Sequence, residues 1–327
     1  MSALPENTSQ LSANELSEFQ NSTARTEIPG SPKPRRNPAL DRMKGFLVIG
    51  MVLSHTLNYY PVFPFSFCRA FSTYISTMTF PGFLFVLGYV SQIAYFSKER
   101  PAVSKHILSG FFKSLAALYI CGIAFTLFMQ KNVSIQAIID KILLRELPPY
   151  SEFLLSFALL YLTMYLFFPF IKKMSDRAIV ILSIFSLGMT FFPYHLITHP
   201  IPASIFGCET MCTFPLIPYG IYFLAGIYFC RHKVVFHKWL YPATLLCTFC
   251  FAAYHLILQR GPVLFPPTFI RVLGTTGIIY TYYLIARKSF GTYGDALLTF
   301  IGRHTLIILV IHNLLLFFSS CLLTALR

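Results

Sequence analysis

The chain has 327 residues, 55% of them hydrophobic and 12% charged, with a mean hydropathy of +0.63. Soluble domains carry roughly 25% charged residues, so a water-soluble globular class is excluded. The formal net charge of +14 does not point to nucleic acid, because the cations gather at the ends of apolar runs, where the positive-inside bias puts them.

Residues 1–38 are rich in Ser, Asn, Glu and Pro and end in a basic stretch, which predicts a disordered tail. Nothing before residue 45 is hydrophobic enough for a secretory signal, so the first helix is expected to act as its own uncleaved signal. From residue 39 onward nine apolar segments follow: 46–65, 71–96, 107–129, 153–171, 178–194, 214–230, 239–258, 269–286 and 305–324. Runs of about 20 apolar residues suit helices that span a bilayer. The expected fold is therefore an all-α, polytopic transmembrane bundle of about nine to ten helices.

Lys and Arg alternate across the connections. Lys33, Arg35, Arg36, Arg42 and Lys44 precede the first segment, and Lys98, Arg100 and Lys105 follow the second. Lys172, Lys173 and Arg177 follow the fourth, Arg231, Lys233 and Lys238 the sixth, and Arg287, Lys288 and Arg303 the eighth. The first connection holds Arg69 alone, the fifth holds none, and the seventh holds Arg260 with Arg271 beyond it. The third holds Lys131, Lys141 and Arg145, offset by Asp140, Glu146 and Glu152. The alternation places the N-terminus in the cytoplasm. In the third connection, apolar residues at helical spacing over 135–147 predict a helix lying along the outer surface.

The first segment carries the sharpest feature. Lys44 and His55 are eleven positions apart, almost three helical turns, so both side chains share one face about 16 Å apart along the axis. With Lys44 at the surface, His55 sits near the middle of a hydrocarbon layer about 30 Å thick. An ionisable group at that depth marks function or a polar interior path. The structural alternative is a neutral histidine bonded between helices. His312 is expected about 10–12 Å into the last helix, at comparable depth. Lys113 either snorkels or lines a cavity open to the cytoplasm; Arg271 is its counterpart on the other side, and His255 falls near a helix end.

Of the carboxylates beyond residue 40, namely Asp41, Glu99, Asp140, Glu146, Glu152, Asp176, Glu209 and Asp295, none falls deep in a predicted helix. An acid-free cavity holding histidine and cations suits an anionic ligand and general-base chemistry better than ion-coupled transport. The eight cysteines show no metal-ligand spacing; Cys247 and Cys250 read as core residues, and Cys208 and Cys212 share a loop in which they could pair. No metal is expected.

ALDRMKGFLVIGMVLSH (39–55) resembles the opening helix of acyltransferase family 3, whose signature is a basic residue, ten intervening residues and a histidine, matched here by Lys44 and His55. FPGFLFVLGYVSQ (80–92) is similar to the family's second helix, IPYGIYFLAGIYF (217–229) to its middle helix, and LTFIGRHTLIILVIHNLLL (298–316) to its closing helix with a late histidine, His312. The family usually has ten helices; its arginine pair at the start of the third helix is absent here, with Lys105 and Lys113 as partial substitutes, and Leu87 stands where serine is common.

The resemblance implies a plasma-membrane acyltransferase domain over residues 39–327. It implies cytoplasmic acyl-CoA, usually acetyl-CoA, as donor, and a hydroxyl of a cell-surface or lipid-linked glycan as acceptor. On this expectation His55 acts either as the general base for the acceptor hydroxyl or through a transient acyl-histidine, with Lys44 and His312 as further catalytic candidates and Lys44, Lys113 and Lys105 toward the donor. The rival reading is a transporter or flippase that binds an anionic substrate without chemistry.

Overall fold

The computed structural model describes residues 37–60, 64–131, 134–258 and 265–325. The expected tail, apart from its last two residues, and Arg260 lie outside them, and so does the side chain of Arg69. Every regular element among the described residues is helical. Five helices are long and apolar enough to cross a membrane: Ala70–Phe96, Arg100–Phe128, Leu240–Leu258, Phe269–Ala286 and Thr305–Leu323. The molecule is a helical membrane bundle.

All nine apolar segments fall on helices. The first is α1, Pro38–Tyr59, which starts earlier than the apolar run because Asp41, Arg42 and Lys44 occupy its opening turns. Next come α2, Phe65–Ser91, closed by a π-turn over Gln92–Phe96, and α3, Arg100–Phe128. The surface helix expected over 135–147 is shorter, α4 at Ile135–Ile142. The fourth segment is split into α5, Phe153–Leu166, and α6, Phe168–Lys173. Pro169 has no N–H to offer Tyr165, four residues back, and the Tyr165 carbonyl instead accepts from Arg100 Nη2 at 3.3 Å.

Helix α7, Asp176–Gly188, is followed by short turns and by α8, Pro200–Phe206. Then come α9, Leu216–Arg231, α10, Leu240–Leu258, and α11, Phe269–Ala286. The connection after them forms α12, Gly291–Arg303, before the closing helix α13, Thr305–Ala325.

Helix α2 is the central post, packed against α1, α9 and α11, while α3 packs on α5 and α13. The motif glycines are explained by these crossings. A Cβ at Gly88 would overlap the Phe223 carbonyl of α9, and one at Gly226 would overlap the Phe85 carbonyl of α2. The two backbones approach closely because these glycines leave the space. The same device seats α12 on α1, where Gly45 faces the Leu298 carbonyl and Gly302 the Asp41 carbonyl. Arg42 locks this contact, donating from Nε to the Ala286 carbonyl at 2.8 Å and pairing with Asp295 at 3.3 Å.

Two expectations about cysteine need correction. Cys250 is exposed and Cys247 half-buried, because α10 lies at the edge of the bundle and buries none of its residues. An apolar run reads the same whether lipid or protein covers it. Cys208 and Cys212 are both free; Cys208 is buried and its thiol donates to the Ile197 carbonyl at 3.0 Å.

Candidate active site

Lys44, Met51, His55 and Asn58 recur along one stripe of α1, and this stripe faces two adjoining cavities. The larger, about 710 Å³, is lined by Ser54, His55, Asn58, Tyr150 and Glu152 among others. The smaller, about 310 Å³, is lined by Lys44, Lys113, Tyr161 and Arg303. Met51, Phe83 and Phe153 line both, so an apolar septum one helical turn from His55 separates them.

His55 and His312 meet. Their rings stack at a centroid distance of 5.7 Å and an interplanar angle of 26°. Tyr150 packs edge-on against His55 at 4.7 Å, and its own backbone is left-handed with φ 65°. A non-glycine residue held there costs roughly 1–2 kcal/mol, and the turn is what brings the ring to the histidine. Asn313 donates from Nδ2 to the Tyr150 carbonyl at 3.2 Å, tying the loop to α13.

Asn313 also faces His55, without a well-formed hydrogen bond. His55 Nδ1, His312 Nε2 and Asn313 Oδ1 are all buried and lack a partner among the described residues. Each such group costs roughly 1–3 kcal/mol, and three together define a polar cluster whose hydrogen bonds the described residues do not fill. On the cavity side, Ser54 and Ser72 bond each other at 2.8 Å, and Asn58 donates to Ser72 at 3.0 Å.

The cavity is not acid-free, which corrects the sequence reading. Glu152, the residue before α5, is only 9% exposed, lines the larger cavity, and has an Oε2 with no donor among the described residues. Burial pushes its carboxyl up to about 7, although the amides of Tyr150, Ser151 and Glu152 itself partly offset this. The loop from 143 to 152 turns inward, so an acid far from any predicted helix centre ends up deep. Lys141 and Arg145, also on this wall, are paired with Glu146 at 2.6 Å and Asp140 at 2.9 Å.

At the other end Lys44 pairs with Asp41 at 2.7 Å, and Asp41 also holds Arg303 at 3.6 Å. Three cations, Lys44, Lys113 and Arg303, therefore line this cavity, and the carboxylate paired with two of them, Asp41, is not part of its lining. Lys105 is exposed on the first turns of α3 and lines neither cavity. Arg271 is buried, with Nη2 donating to the Ser76 carbonyl at 3.4 Å. No group of three or more His, Cys, Asp or Glu placed to hold a metal occurs among the described residues.

Sequence reasoning missed Arg303, Tyr150, Glu152 and Asn313. Asn313 has a signal, its place directly after His312 in the closing helix; in the sequence Arg303 shows only as a topology charge. Tyr150 and Glu152 carried none. In comparison with known families, residues 37–326 match the family described as an acyltransferase domain. No curated protein and no solved structure matches the chain.

Proposed function

The chain belongs to acyltransferase family 3, whose domain accounts for residues 37–326, and from that premise we propose that it moves an acetyl group from acyl-CoA to a hydroxyl of a cell-surface or lipid-linked glycan. The observation that carries this reading is the pair of cavities meeting one turn from His55, one cationic and one lined by polar groups and aromatic rings. Phosphates of a CoA donor suit Lys44, Lys113 and Arg303, and a linear pantetheine arm suits the apolar septum of Met51, Phe83 and Phe153.

In this mechanism His55 takes the proton of the acceptor hydroxyl as its oxygen attacks the thioester carbonyl. The carbon–sulfur bond breaks, and the proton passes to the departing thiolate, leaving an ester and free CoA thiol. His312, stacked behind His55, and Tyr150, against its edge, hold the ring in place. Positioned general-base catalysis of this kind supplies about 10²–10⁴-fold. The Lys44 cavity faces the cytoplasm, following the alternation of Lys and Arg across the connections, and the bundle sits in the plasma membrane.

The test is a mass-spectrometric comparison of surface glycans from cells with the protein, without it, and with His55→Ala. The reading expects O-acetyl groups on a glycan only with the wild-type chain. Identical glycans in all three would overturn it.

A further inference from the structure

We infer that the Glu152 wall of the larger cavity is a subsite for an uncharged polyhydroxyl ring, which Glu152 holds by accepting its hydroxyls and from which it turns anionic sugars away. The inference rests on the acyl-transfer reading and narrows its acceptor. It starts from ion pairing: of the charged residues lining the cavity, Lys141 is paired with Glu146 and Arg145 with Asp140, whereas Glu152 forms no ion pair among the described residues. Above pH 7 the Glu152 carboxyl is ionised and only accepts hydrogen bonds, and its buried Oε2 has no donor among the described residues.

Capping the helix that follows does not account for this group. Glu152 sits at the N-cap of α5, yet its side chain makes no capping hydrogen bond. The carboxyl's terminal torsion is soft, so the second oxygen can turn toward a guest without any change in the backbone.

The surroundings define the guest. Tyr150 touches His55 on one side and lies close enough to Glu152 to feel its charge on the other. A ring with one hydroxyl at His55 therefore presents its remaining hydroxyls toward Tyr150 and Glu152. Phe80, Phe214 and Phe265 form a continuous aromatic wall, with successive centroids 4.9 Å apart, suited to the C–H face of such a ring. A carboxylate or phosphate on the guest would meet Glu152 as a like charge, with no unpaired Lys or Arg among the described residues lining the cavity.

The experiment uses the purified full-length chain in vesicles at pH 8, where Glu152 is ionised, with acetyl-CoA as donor and methyl glucoside or methyl glucuronide as acceptor. The wild type should favour the neutral glycoside in kcat/KM by about tenfold or more. Glu152→Gln should raise the KM for the glucoside about tenfold while leaving the KM for acetyl-CoA unchanged, and should narrow the preference. Glu152→Asp should recover part of both effects. An unchanged ratio in Glu152→Gln, with transfer intact, would overturn the subsite and leave the acyl-transfer reading standing. Should Glu152→Gln not reach the membrane, the wild-type ratio decides, and a glucuronide used as well as the glucoside overturns the subsite. A wild type that consumes no acetyl-CoA with either sugar would overturn both.

Discussion

The two ends of α1 are built on opposite principles. At the Lys44 end cations are in excess: Asp41 is shared between Lys44 and Arg303, and Lys113 lines the same cavity without an ion pair among the described residues. At the His55 end the polar atoms are enclosed, and His55 Nδ1, His312 Nε2, Asn313 Oδ1 and Glu152 Oε2 have no hydrogen-bond partner among the described residues. An excess of partly exposed cations acts over distance and is weakened by salt. Enclosed polar groups without partners cost stability and persist where they serve something else. On the proposed function, the contrast corresponds to diffuse, salt-sensitive binding in one cavity and orientation-dependent chemistry in the other.

The comparison breaks most visibly through topology, where the expected effect is all or none. In a cysteine-free background, Thr210→Cys should react with a membrane-impermeant thiol reagent in intact cells. Ser289→Cys should react only after the membrane is opened. Labelling of Ser289→Cys in intact cells would reverse the assignment of the Lys44 cavity to the cytoplasm.

The next largest effect belongs to the enclosed end. His55→Ala should lower transfer by about 10²–10⁴-fold at normal membrane abundance, read from product formed per mole of protein. Transfer within a few fold of wild type would remove the base from the mechanism. His312→Ala should be milder, because its ring reaches the reaction only through His55.

At the open end the losses should be smaller and of a different kind. Lys113→Ala and Arg303→Ala should each raise the KM for acetyl-CoA several fold, with the acceptor KM unmoved. Added salt should weaken donor binding more in the wild type than in either variant, because screening acts on the very charges removed. Equal salt dependence in all three proteins would dissolve the distinction between the two ends.

The smallest effect is in pH. Burial holds Glu152 near 7 in the folded chain, above the roughly 4.3 of an exposed glutamate. A folded-state value raised in this way adds stability that is fully present below the ordinary value and is lost as pH rises through about 7. Glu152→Gln has no such dependence, so its thermal midpoint relative to wild type should be higher at pH 8 than at pH 6. A gap that does not move with pH would mean that Glu152 does not titrate in this range.

The sequence by itself determined the class, the helices and the register of the first one. Apolar length and the 3.6-residue period are local properties, so they place Lys44 and His55 on one face whatever the other helices do. Local too are the proline that splits the fourth segment and the charged opening turns of α1, though their effect on the boundaries showed only once the helices were in place. Tertiary structure decided what that face meets. His55 and His312 are 257 positions apart, and only the packing of α13 against α1 brings their rings together. Glu152 sits in a loop whose inward turn depends on Asn313 holding the Tyr150 carbonyl across the bundle, and no local pattern encodes that path. Likewise α12 became a docked helix through glycines on both partners, Gly45 and Gly302, which leave room for carbonyls contributed by the other. Burial and partnership are properties of pairs of segments, and for that reason the acid in the cavity was out of the sequence's reach while the histidine was within it.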